Sequence, residues 1–146
     1  MSTPTAPLLK GTKSEVEQQY FQGKIGDQDF KADFLTHTLK NNFWLAEGTM
    51  RIPPNETSRQ VVTFKYSADR DLLPNGRYTL TANNKDPRFA VILMTINDTP
   101  TPAYEAERGT IEFFHDPSDN TISGALDIYF HDLNGIEVRL QMLLSI

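Results

Sequence analysis

The sequence contains no cysteine, one tryptophan and three histidines among its 146 residues. The absence of cysteine excludes disulfide bonds, thiolate metal sites and cysteine nucleophiles. Because no apolar run approaches the ~20 residues that a membrane-spanning helix needs, we predict no membrane insertion. The opening MSTPTAPLLKGTK has neither a charged leader nor an apolar stretch of signal-peptide length. It predicts a cytoplasmic protein, or a secreted or periplasmic one if a leader precedes this chain.

Positive charge is sparse and dispersed. Lysine and arginine total 14 against 19 acidic residues, which gives a net charge of −5. Binding to a phosphate backbone requires several cations gathered on one surface. The arginines stand singly along the chain, so nucleic acid is not an expected partner. The nucleophile motif Gly-x-Ser-x-Gly and the glycine loops that bind phosphates are missing too, and the sequence predicts no cofactor.

The clearest structural pattern is the alternation of apolar and polar side chains near the C-terminus. It runs through Ile122–Phe130 and Ile136–Met142, and the turn residues Asp132–Gly135 lie between them. A shift of one residue would place apolar side chains opposite polar ones, so the pattern specifies a register. It predicts Phe130 opposite Val138, Ile128 opposite Leu140 and Leu126 opposite Met142.

Similar segments bounded by turn residues cover most of the remaining chain. They predict strands at Tyr20–Ile25, Asp29–Phe34, Asn42–Ala46, Thr49–Ile52, Arg59–Ser67, Arg77–Ala82, Phe89–Ile96 and Tyr104–Phe114. Gly26–Gln28 and Glu47-Gly48 are interpreted as hairpin turns, and Phe89–Ile96 as a central strand covered on both faces. Regular turns and the lack of long helical patterns predict an all-β fold, an antiparallel β-sandwich of about nine strands. A calycin-like up-and-down β-barrel is the alternative architecture.

The chain length fits one domain. Residues 1–13 are rich in serine, threonine and proline and offer little to bury, so they predict a flexible N-terminal tail. Residues 14–146 form the predicted single β domain.

Three fragments, FQGKIGDQDFKA at Phe21–Ala32, GTIEF at Gly109–Phe113 and DNTISGALDI at Asp119–Ile128, are characteristic. The chain resembles a group of small, uncharacterised bacterial all-β domains that are often attached to secreted lipoproteins. Gly26-Asp27 reverses the Asn/Asp-Gly order that is usual in that group, and a lipid-attachment cysteine is absent. The resemblance implies an all-β fold and brings no catalytic residues.

A repeated Phe-His-Asp, at Phe114–Asp116 and Phe130–Asp132, is the most unusual local motif. Two histidines and two aspartates have the chemistry of a metal site or an acid–base pair. Each motif follows a strand, however, and consecutive turns of an up-and-down sheet lie at opposite ends. The sequence therefore predicts no metal site and no catalytic residues.

Aromatic side chains provide the candidate ligand-binding residues, which are Trp44, Tyr66 and Tyr78. Their rings suit a pocket lining, although aromatic side chains in strands are most often part of the core.

A second candidate surface is the proline-containing loop Asn97–Glu107. The prolines stiffen it, so Pro100, Pro102 and Tyr104 are candidates for docking on another protein. The alternative is a solvent-facing connection that protects an edge strand.

The favoured function is a non-enzymatic binding or protein-interaction domain. Its partner would be a protein or a small molecule, and a homo-oligomer is compatible with the sequence. One alternative is a barrel that carries a small apolar ligand. The other is an enzyme with an unrecognised His/Asp/Glu site.

Overall fold

The computed structural model describes residues 19–54, 57–83, 85–99 and 101–146. The tail predicted at residues 1–13 lies outside them. The described residues form eleven strands, in chain order β1 (Tyr20–Ile25), β2 (Gln28–Lys31), β3 (Phe34–Lys40), β4 (Phe43–Arg51), β5 (Arg59–Ser67), β6 (Gly76–Leu80), β7 (Phe89–Ile96), β8 (Tyr104–Glu105), β9 (Arg108–Asp116), β10 (Thr121–His131) and β11 (Glu137–Ser145).

The strands make two antiparallel sheets. The six-stranded sheet has the order β2-β1-β11-β10-β9-β6, and the five-stranded sheet has the order β3-β4-β5-β7-β8. The sheets pack face to face and do not close, which confirms the β-sandwich and shows that the barrel alternative is wrong. Nowhere in the described chain is there a helix of the length and hydrophobicity that spanning a bilayer requires.

The register at the C-terminus is confirmed. Strands β10 and β11 pair with Phe130 opposite Val138, Ile128 opposite Leu140 and Leu126 opposite Met142. Apolar members of these pairs point between the sheets, because burying one face of each strand fixes which side chains must oppose each other.

The predicted turn at Glu47-Gly48 is wrong, because β4 continues through it from Phe43 to Arg51. A Cβ on Gly48 would lie 2.8 Å from Cβ of Phe21 in the opposite sheet. The glycine therefore provides room for close packing between the sheets and does not turn the chain.

The first hairpin is confirmed, with Ile25 paired to Gln28 across a tight turn. Its second strand ends at Lys31, three residues earlier than predicted, because the chain crosses to the other sheet there. The backbone N–H of Ala32 donates to Phe21 in one sheet, and that of Asp33 donates to Thr49 in the other.

Strand β7 has the predicted bounds, but the prediction that both its faces are covered is wrong. Phe89, Val91 and Leu93 lie in the core, whereas Met94 and Ile96 are 37% and 43% exposed on the outer face. A strand of a two-layer sandwich has only one face against the other layer, so an apolar outer face remains at the surface.

Candidate functional site

The structure brings together two of the three predicted ligand-binding aromatics. Trp44 and Tyr66 are direct neighbours on β4 and β5, and Tyr66 is almost completely buried. Tyr78 lies on the far side of Phe113, whose ring centroid is 5.3 Å from that of Tyr66 and 6.0 Å from that of Tyr78. The Tyr78 hydroxyl donates to the carbonyl of Pro74. The three side chains therefore belong to the core packing and do not line one pocket.

Two histidines join Trp44 and Tyr66 at one end of the sandwich. The ring of His37 lies 4.5 Å from that of Trp44 and 5.9 Å from that of His115. His115 is in turn 5.4 Å from Trp44 and 5.8 Å from Tyr66. We call His37, Trp44, Tyr66 and His115 the histidine cluster.

The sequence interpretation missed this cluster, because His37 and His115 lie on strands of different sheets that are far apart in the chain. A signal was nevertheless present. His37 lies on the same face of its strand as Leu35 and Leu39, and His115 continues the buried side of β9 after Phe113. A histidine at a core position of a strand requires hydrogen-bond partners, which is a sign of a specific contact.

Hydrogen bonds determine the protonation of His37. Its Nδ1 lies 3.0 Å from the backbone oxygen of Asn120, and a carbonyl only accepts, so Nδ1 carries a proton. Nε2 of the neutral ring then accepts from the hydroxyl of Tyr66 at 2.7 Å. Burial lowers the pKa of His37 and raises the pKa of Tyr66, so both groups stay uncharged near neutral pH.

His115 is held by its backbone, and one of its two ring nitrogens has no partner in the described part of the chain. Asn75 accepts from the His115 backbone N–H at 2.8 Å and donates to its carbonyl at 3.1 Å. Nε2 is buried and has no hydrogen-bond partner among the described residues. Burial lowers the pKa of His115, and the charge of Arg70 lowers it further.

The histidine cluster joins the two sheets. His37 on β3 binds the turn between β9 and β10, where Asn120 adopts a left-handed φ of 57°. In the described ranges no three His, Cys, Asp or Glu side chains are grouped to hold a metal ion. With His37 bonded at both ring nitrogens and His115 buried, the cluster stabilises this end of the sandwich.

Acidification below pH 6.5 is expected to destabilise the domain through this cluster. An unfolded histidine titrates near 6.5, and the pKa values of His37 and His115 are lower in the folded state. Below pH 6.5 the unfolded chain therefore binds more protons than the folded chain. The stabilisation that the two uncharged histidines contribute is lost as the pH falls through their pKa values in the folded state.

Urea unfolding at pH 7.5, 6.5, 5.5 and 5.0 measures this dependence. The pKa values of Asp86 and Asp127 are lowered by their arginine partners, so those carboxylates lose stabilisation only below their unfolded pKa, near pH 4. A double variant His37→Gln/His115→Gln should have a flatter profile above pH 5. If the free energy of unfolding of the double variant depended on pH as strongly as that of the unmodified protein, the role of the two histidines would be contradicted.

The two Phe-His-Asp motifs lie at opposite ends of the β9–β10 pair, as predicted. Asp116 pairs with Thr121 at one end, and Arg108 pairs with Tyr129 at the other, beside His131. Nδ1 of His131 lies 2.6 Å from a carboxylate oxygen of Glu107. The motifs therefore make separate local contacts.

The predicted docking loop is bound to the domain at several points. Pro100 lies outside the described residues, and Pro102 is exposed. Tyr104 belongs to β8, and its ring stacks on Phe130 with 5.1 Å between centroids. The Thr101 hydroxyl donates to the backbone oxygen of Thr95. The Tyr104 ring therefore packs against the core. Of the two candidates that the structure describes, Pro102 is the exposed one, and docking on this loop stays a prediction.

A groove crosses the outer face of the six-stranded sheet. It consists of two adjoining depressions of about 570 and 430 Å³, which share Ala125 and Leu143. Three large apolar side chains border it, since Tyr20 is 37%, Phe114 57% and Leu143 54% exposed. We call this surface the sheet groove.

Small residues form the floor of the sheet groove. Gly23 and Gly124 contribute backbone, and Ala125 contributes a single methyl group between Leu143 and Glu112, its neighbours on the adjacent strands. Large side chains at the border and small ones at the centre produce the depression.

The sheet groove runs across the strands. Its lining extends from Gly76 at the start of β6, through β9, β10 and β11, to Lys24 on β1. Neighbouring strands lie about 4.8 Å apart, so five strands span about 19 Å, the length of about six extended residues. Gln22, Asp127 and Glu112 supply polar groups along the border.

Fold and surface together define this chain as an antiparallel β-sandwich with an open, apolar-bordered groove. Comparison with protein-family models, with curated proteins and with solved structures gave no match. The resemblance to the bacterial lipoprotein-associated domains therefore stays a prediction, and the function is inferred from the geometry of this chain.

Proposed function

We propose that this chain is a non-enzymatic binding domain whose sheet groove holds an extended, apolar segment of a partner protein. The observation that carries the proposal is the placement of Tyr20, Phe114 and Leu143 around one backbone-floored depression. Contiguous apolar surface with a polar border is typical of protein-interaction sites. Covering these exposed side chains with an apolar partner would remove apolar surface from water, which favours binding.

The shape of the sheet groove favours an extended segment over a small carried ligand. Carriers enclose most of the surface of their ligand, and the barrel that the carrier hypothesis requires is not formed. The sheet groove is open along its length and suits a chain that presents alternate side chains to it.

The enzyme alternative has less support. His115 and His131 lie at opposite ends of β9 and β10. His37 and His115 are uncharged and lie beside Trp44, His37 half-buried and His115 buried. A general acid or base must reach the proton that it transfers.

Selection of a random heptapeptide display library against the whole protein tests the proposal. We expect enriched peptides to contain alternating apolar residues and to lose at least about tenfold in affinity against Leu143→Glu, since a buried interface anchor contributes more than ~1.4 kcal/mol. Leu133→Glu is the matched control, because Leu133 is 75% exposed and lies in the β10–β11 turn outside the groove.

Peptides that bind both variants equally, or a library with no enriched peptide, would contradict the proposal. A glycan array run with the same protein separates a second class of partner. Glycan binding that Leu143→Glu abolishes, without any peptide binding, would replace the peptide by a sugar chain and overturn the proposed partner.

A further inference from the structure

The edge strand β3 differs from the other three sheet edges. One edge of the six-stranded sheet is β2, which has four residues, two of them the charged Asp29 and Lys31. The other is β6, which has five residues and is preceded by Pro74. In the five-stranded sheet one edge is β8, with two residues. Short, charged or proline-flanked edges resist pairing with other chains.

Strand β3 has none of these protections along its centre. It has seven residues, FLTHTLK, whose only charge is Lys40 at the end. Among the described residues only β4 pairs with it, so its other side presents backbone N–H and C=O groups. Leu39 lies on the same side of the strand as the half-buried Leu35, yet it is 55% exposed.

The sequence of β3 is palindromic about His37. Leu35-Thr36-His37-Thr38-Leu39 is the same in both directions. When two antiparallel copies meet on a two-fold axis at His37, Leu35 faces Leu39 of the second copy and Thr36 faces Thr38. Both are favourable cross-strand pairs, and a two-fold interface requires such self-complementarity.

We propose that the domain forms a two-fold symmetric dimer in which β3 pairs antiparallel with β3 of a second copy, centred on His37. Pairing joins the two five-stranded sheets into one ten-stranded sheet. It covers the exposed Leu39 side chains and satisfies the free backbone groups of both edges. The sheet groove lies on the other sheet and remains open, so this inference is independent of the proposed function.

Charge substitutions at two exposed positions test the pairing. In Thr36→Lys/Thr38→Lys, lysines face each other across the axis in both cross-strand pairs, and we expect the dimer dissociation constant to rise by about 100-fold. In Thr36→Lys/Thr38→Glu, each lysine faces a glutamate of the second copy, so dimerisation should be retained. Thr79→Lys, at an exposed position of edge strand β6, is the control and should dimerise like the unmodified protein.

Sedimentation velocity from 1 to about 500 µM measures the association, a range that brackets micromolar to near-millimolar dissociation constants. Circular dichroism confirms that each variant is folded. A protein that stays monomeric throughout, or a dimer that Thr36→Lys/Thr38→Lys leaves intact, would overturn the proposal.

Disulfide trapping tests the register, since the chain has no cysteine of its own. Thr36→Cys and Thr38→Cys proteins should cross-link when mixed, because their Cα atoms face each other within about 5.5 Å. A dimer of either variant by itself should not cross-link. Its two cysteines, one on each chain, are offset by two residues on the facing strands and lie beyond the reach of a disulfide, about 7 Å between Cα atoms. Efficient cross-linking of Thr36→Cys with itself would indicate another register and contradict the palindromic pairing.

Discussion

Gly23→Ala is expected to destabilise the domain by about 3 kcal/mol or more. Overpacking against side chains typically costs about 1–3 kcal/mol, and here the added methyl group would meet backbone, which yields less. Gly23 lies on β1 opposite Met142 of β11. A Cβ at this position would lie 1.8 Å from the backbone oxygen of Gln141 and 2.9 Å from Cα of Met142. The obstructing atoms are backbone, so no change of rotamer relieves the overlap and the β1–β11 pairing must separate.

Gly135→Ala is the matched control for this substitution. Gly135 lies in the turn between β10 and β11 with a φ of 76°, and an added Cβ there meets no atom within 4 Å. Its cost should be only that of the left-handed conformation, about 1–2 kcal/mol. Urea unfolding of both variants gives the comparison. An equal or smaller loss for Gly23→Ala would show that the two strands adjust freely.

Leu140→Ala is expected to cost about 2–5 kcal/mol, the range for removing a large buried side chain and leaving a cavity. Leu140 is fully buried on β11 and lies between Ile25 of β1 and Ile128 of β10. Rigid strands on both sides limit the collapse of the cavity, so the loss should fall in the upper half of that range.

Leu143→Ala provides the comparison, because Leu143 lies on the same strand and points to the opposite face. It is 54% exposed, so its loss should be below about 1 kcal/mol. Urea midpoints and slopes of the two variants measure the difference. Similar losses for Leu140→Ala and Leu143→Ala would contradict the assignment of the inner and outer faces.

Local alternation was sufficient to predict the β10–β11 hairpin, because the register there depends only on residues within the hairpin. It was insufficient at Glu47-Gly48, where turn-forming residues continue a strand. The glycine at that position is required by Phe21, which lies in the other sheet. Sequence neighbours contain no information about a contact of that kind.

The candidate sites illustrate the same difference. Trp44 and Tyr66 were identified as notable aromatics, but their partners His37 and His115 come from strands of separate sheets. The sheet groove was not predicted, since it depends on the order β1-β11-β10-β9, in which β1 is distant in the chain from its neighbour β11.

By itself, the sequence determined the class of fold, together with the inner and outer faces and the pairing of the last two strands. Those features follow from the two-residue period of a strand and from the burial of one face. Only the tertiary structure decided which strands are neighbours, where the sheets cross and which exposed side chains share a surface. These depend on contacts between distant segments, whose formation is governed by the packing of the whole core.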